Sequence, residues 1–216
     1  FVPAGDYNGT PPALVVRALD DSYGSSFSTA GASENRVTVN TTGNGGTTAI
    51  SSTTGSIGAT VTPVNDAPVI SPSGGTTTFT EGSSAESLPV VIDSLLTLSD
   101  VDNTMLQGAT ISITSGFTSS QDLLGYTTLH GITGSYDAGT GVLTLTGAAT
   151  LAQYQEALRS ITYTNTNESP TGTARTISFA VNDGDQTSTP ATRMVEIVAV
   201  DDTPLITSDG GGSTAS

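Results

Sequence analysis

Residues 135–165 read SYDAGTGVLTLTGAATLAQYQEALRSITYTN. The Gly- and Asp-rich start, GSYDAGTG at 134–141, predicts a hairpin turn, and VLTLT at 142–146 alternates apolar and hydroxyl side chains as a half-buried strand does. The period then changes. In TLAQYQEALRSI (150–161), Leu151, Tyr154, Leu158 and Ile161 recur at helical spacing, and Thr150 with Gln153 makes a capping box. The expectation is one short amphipathic helix that crosses the end of a β-sandwich and packs Leu158 into its core.

Outward from this stretch, every other periodic segment has the strand period. ALVVRAL (13–19), RVTVN (36–40), GATVT (58–62), TTTFTE (76–81), LPVVIDSLLTL (88–98), ATISIT (109–114), ITYT (161–164), RTISFAV (175–181) and TRMVEIVAV (192–200) are predicted strands. The Asp137 side chain is expected to cap its own turn. The fold class is therefore all-β, with one short helix in the second module.

An internal repeat organises the chain. ALVVRALDDSYGS (13–25) aligns with ISFAVNDGDQTS (177–188), and IGATVTPVNDAPVI (57–70) aligns with MVEIVAVDDTPLIT (194–207). FVPAGDYNGT (1–10) parallels ITYTNTNESPTGT (161–173). By this arithmetic 1–65 is the C-terminal half of a first module, with a long polar insertion at 22–56. Residues 66–203 form a complete module, and 204–216 begin another or supply an inter-subunit strand. Phe1 opens in mid-pattern, which suits a processed chain or a segment of something larger.

Composition excludes several classes. The 216 residues carry 20 acids against 5 bases, all arginine, for a formal net charge of −15. Nucleic-acid binding needs the opposite sign. There is no cysteine for a disulfide framework or a thiolate metal site. No run of 18 apolar residues suggests membrane insertion. Ser and Thr together make up about 30%, well above ordinary usage.

Several stretches carry a resemblance: LTLSDVDN (96–103), residues 135–165 as quoted, ISFAVNDGD (177–185), and the linkers VNDAP (64–68) and VDDTP (200–204). They resemble the tandem cadherin-like or immunoglobulin-like modules of giant bacterial adhesins, in the variant similar to the chondroitin-sulfate-proteoglycan-type repeat. The resemblance implies tandem β-sandwich modules, secretion to the cell surface, and stiffening by Ca2+.

Calcium takes six to eight oxygens at about 2.3–2.6 Å, so a site needs carboxylates converging from several segments. In a sandwich of the implied strand order, Asn65 and Asp66 of the linker meet Asp100 and Asp102 of the DVDN loop and Asp183 and Asp185 of the last hairpin. Five carboxylates from three segments would then converge at one junction. The same walk sets Glu81 at the opposite end, near Asp201 and Asp202. Asp20 and Asp21 are the first module's counterparts of the hairpin acids.

His130 stands alone, without cysteine or a nucleophile-elbow motif, so no enzymatic role is expected. Asn8-Gly-Thr, Asn40-Thr-Thr and Asn167-Glu-Ser match the glycosylation sequon, as chance allows in a chain this rich in Thr. Glycans are possible partners. The reading that fits best is a calcium-rigidified structural segment of an extracellular adhesin, surface filament or biofilm matrix. Its partners are neighbouring copies or modules joined head to tail, by strand addition or in one polypeptide. The alternative is a ligand-binding adhesin module that recognises a peptide or glycan through its long loops.

Overall fold

The structure, a computed structural model, describes residues 2–5, 7, 9–19, 42–82 and 87–202. Predicted elements at 36–40 and 204–216, most of the polar insertion, and the candidate ligands Asp20 and Asp21 lie outside the described residues. Two compact units meet in sequence between Val64 and Asn65.

In the first unit, β1 (Leu14–Val16) and β2 (Gly55–Ile57) pair antiparallel, with Leu14 opposite Ile57. Leu14, Val15 and Ile57 are 63%, 62% and 59% exposed. The strand expected at 58–62 is reduced to an isolated bridge between Gly9 and Val61. Arg17 ties the ribbon's far end by donating to the carbonyls of Ser51 and Ser52.

The second unit is a sandwich. Its strands are β3 (Val69–Ser71), β4 (Thr76–Thr80), β5 (Val90–Val91), β6 (Thr97–Ser99), β7 (Met105–Ser115), β8 (Asp122–Gly125), β9 (Thr133–Asp137), β10 (Val142–Thr150), β11 (Thr162–Asn165), β12 (Arg175–Asn182) and β13 (Ala191–Val198). One helix, α1 (Leu151–Arg159), lies between β10 and β11. A six-stranded sheet, ordered β4-β13-β12-β7-β10-β9, faces the three-stranded sheet β5-β11-β8 and the pair β3-β6. Among the described residues no helix is long and apolar enough to cross a membrane.

Alternation explains the packing. On β12, Ile177, Phe179 and Val181 are buried while Thr176, Ser178 and Ala180 face outward. Register then places Leu143, Ile111 and Phe179 in one row across β10, β7 and β12, all at most 2% exposed. Phe79 of the large sheet meets Tyr163 of the small one edge to face, with ring centroids 5.3 Å apart.

The helix forms where the capping box stands. The Thr150 hydroxyl accepts from the Gln153 amide N–H, and the Gln153 side chain accepts from the Thr150 N–H at 3.0 Å. Tyr154, Ala157 and Leu158 are buried beneath it. Ahead of it, β10 bulges at Gly147, whose φ of +136° favours glycine and where a Cβ would lie 2.8 Å from the Gly131 carbonyl oxygen.

The run at 88–98 is two strands rather than one. Asp93 breaks it by accepting from the Ser73 N–H, the Ser73 hydroxyl and the Leu95 N–H at 2.7, 2.7 and 3.0 Å. A second polar centre lies deeper. Asp122 and Arg175 are both fully buried, and Arg175 Nε donates to Asp122 Oδ2 at 3.0 Å. Tyr163 (2.5 Å), Asn165 (2.6 Å) and the Thr118 N–H (2.6 Å) complete the carboxylate's partners. Burial, and then the bond to Asp122, push the Tyr163 phenol well above its ordinary pKa.

Candidate cation sites at the two ends of the module

Strand direction decides which acids can meet. β4 and β13 run parallel, so both deliver their C-terminal residues to the same, trailing end. The β12–β13 turn and the loop before β7 lie at the opposite, leading end, because β7 runs antiparallel to β12 with Asn182 opposite Gly108.

At the leading end Asp183 is the hub. Its Oδ1 accepts the N–H groups of Asp185 and Gln186, each at 2.7 Å, across a turn in which Gly184 takes a φ of +113°. Its Oδ2 accepts from the Asn65 side-chain amide at 2.8 Å and the Asn103 amide at 3.3 Å. Asn103 also donates to Asn65 Oδ1 at 2.6 Å, and the Gln186 side chain donates to the Asn65 carbonyl. Partial burial raises the Asp183 carboxyl, but the Gln186 N–H, the Asn65 amide and the other donors outweigh it and leave it below the ordinary range. The Asp66 N–H donates to Asp102 Oδ2 at 3.1 Å. Asp100 Oδ1 accepts from the N–H groups of Asp102 and Asn103 at 3.1 and 2.9 Å, while its Oδ2 is buried without a partner.

This arrangement corrects the expected convergence of five carboxylates. The segments do meet, but Asn65 and Asn103 stand between them as amide bridges, and Asp185 is exposed. No three leading acids bring their oxygens within 4.8 Å of one another among the described residues.

Three acids do so at the trailing end: Glu81, Glu168 and Asp202. Glu81 follows β4 and is 2% exposed. Its N–H donates to the Val198 carbonyl, and its Oε2 accepts the Val200 N–H at 2.8 Å, so it grips the chain leaving the module. Its Oε1 is buried without a hydrogen-bond partner. Glu168 arrives from the loop after β11, where it is the middle residue of the Asn167-Glu-Ser sequon. Asp201 is exposed and lies outside the trio. Like charges about 4–5 Å apart repel by about 1–4 kcal/mol per pair, depending on how well water screens them. Oxygens that share one calcium ion lie at most about 5 Å apart, so this donor set fits a hard divalent cation.

No family model matches the chain. It is similar to a known protein in part. Over 101 residues, 44% of the chain, it is 39% identical to Halomucin of Haloquadratum walsbyi, and the matched stretch is 1% of that protein's length.

His130 precedes β9 and belongs to neither group of acids. Its Nε2 is 2.7 Å from Glu156 Oε2 in an exposed pair. Asp137 caps its own turn, as expected, by accepting the Gly139 N–H at 2.8 Å.

Proposed function

We propose that the chain is a structural repeat segment of a large extracellular surface protein, stiffened by calcium at the ends of its modules. The observation that carries this reading is the trailing trio. A buried Glu81 with one unpartnered oxygen faces Glu168 and Asp202, and its other oxygen holds the Val200 N–H of the outgoing linker. A cation there joins the module body to the linker. Asp201 is the adjacent carboxylate, available as a further ligand.

The repeat extends the argument to neighbours joined head to tail. VNDAP (64–68) and VDDTP (200–204) are equivalent, so Asp66 corresponds to Asp202. Asp202 belongs to the trailing trio, whereas Asp66 is held at the leading end by a hydrogen bond to Asp102. Calcium held by the trio would fix the linker that leaves each module, as a cadherin-like array in an adhesin, filament or matrix spacer requires. The partial similarity to Halomucin and the chain's acidity support a surface location.

The test is thermal unfolding of the full chain in calcium and in chelator. Only the native state assembles the trio, so calcium should raise the melting temperature by mass action. Equal melting in both conditions would contradict the reading.

A further inference from the structure

The two linkers differ at two positions, Asn65/Asp201 and Ala67/Thr203, and the structure gives the first difference a consequence. Asn65 and Asp201 are repeat equivalents. Asn65 uses both ends of its amide: Nδ2 donates to Asp183 Oδ2 at 2.8 Å, and Oδ1 accepts from Asn103 Nδ2 at 2.6 Å. The Gln186 side chain holds its carbonyl. The neighbouring Asp66 N–H reaches Asp102. The linker is thus laid onto the module that follows it by neutral donors placed between carboxylates.

We infer that position 65 determines whether a linker needs a cation to dock on the following module: Asn65 docks by hydrogen bonds alone, whereas an aspartate there, as at Asp201, requires a divalent cation. This rests on the calcium reading above and divides the work of a junction. The linker's grip on the module ahead is amide-based and independent of calcium. Its grip on the module behind, through Glu81, Glu168 and Asp202, depends on calcium.

The chemistry is one of donor count. A carboxylate at 65 has no N–H for Asp183, so two anions would face each other at hydrogen-bond distance. A cation supplies the missing positive partner. Alanine at 65 removes the donor without adding charge, so a cation has nothing to bridge there.

The experiment is amide hydrogen exchange on the full chain, read at Asp66 and Gln186, in calcium and in chelator. In the wild type both amides should be protected equally in the two conditions. In Asn65→Asp they should exchange about ten- to a hundredfold faster in chelator and recover in calcium. In Asn65→Ala they should exchange faster in both. Loss of wild-type protection in chelator, or an Asn65→Asp variant that stays protected there, overturns the inference, as does an Asn65→Asp variant that stays open in calcium. The Val200 amide, held by Glu81, reports separately on the trailing end. Its indifference to calcium would count against the calcium reading, whatever happens at Asp66.

Discussion

Asn65 and Asp183, 118 residues apart in sequence, are joined by a 2.8 Å hydrogen bond. The bond ties the chain entering the module to the turn between its last two strands. Asp183 also caps that turn through two backbone N–H groups, so one carboxylate holds both segments. Asp183→Ala should therefore cost about 1.5–3 kcal/mol, the range for hydrogen bonds to a charged group. Urea unfolding of the full chain measures it, and the cost should exceed that of Asp137→Ala, whose carboxylate serves one exposed turn.

Glu81→Gln separates charge from structure at the trailing end. It relieves repulsion with Glu168 and Asp202 and keeps an oxygen for the Val200 N–H. In chelator the variant should melt no lower than wild type, and it should lose most of the calcium-induced rise. Two melting curves for each protein measure both effects.

The Asp122–Arg175 pair is buried, so removing one partner strands a charge. Arg175→Met should destabilise by about 3–5 kcal/mol. Tyr163→Phe, which removes one of several donors to Asp122, should cost about 1–2 kcal/mol. Denaturant unfolding gives both values.

Burial pushes the Asp93 carboxyl up, but the Ser73 hydroxyl, the Leu95 and Ser73 N–H groups and the Arg193 guanidinium pull harder, so it titrates below its ordinary value. A depressed folded-state pKa gives stability that is fully present above the unfolded value of about 3.9 and is lost as pH falls through the folded value. Asp93→Asn should lower stability at neutral pH and flatten the acid limb of the stability profile below about pH 4. Melting measured from pH 2 to about 7 tests the sign.

In the first unit, β1 is the sequence counterpart of β12, which lies between β7 and β13 in a six-stranded sheet. Among the described residues β1 has one strand partner and exposes Leu14 and Val15. Its amides should exchange orders of magnitude faster than those of β12. The equivalence also bears on strand exchange. Residues 204–209 match β3, and β3 pairs with β6 rather than with β12 or β13. Added peptide 204–212 should therefore leave β1 exchange unchanged.

The helix and β12 were legible because each rests on local signals: a capping box for one, strict alternation for the other. The run at 88–98 was misread because its break comes from Asp93 reaching Ser73, twenty residues away. β8 escaped notice since its leading residue is an aspartate, whose partner Arg175 stands 53 residues off. Strand direction in the sequence brings the acids of each end together, but not the amide bridges, because Asn65 reads as a cation ligand and Asn103 as an ordinary turn residue. Glu168 had a signal: β11 runs toward the end where β4 finishes, which would have placed its following loop beside Glu81.

Calcium titration of the full chain by calorimetry, in metal-free buffer, reads the trailing site itself. The wild type should bind calcium saturably, and affinity should fall at least about tenfold when Glu81 and Glu168 are both replaced by glutamine, with the fold intact by circular dichroism. Absence of binding in the wild type, or unchanged binding in the double variant, would contradict the calcium reading.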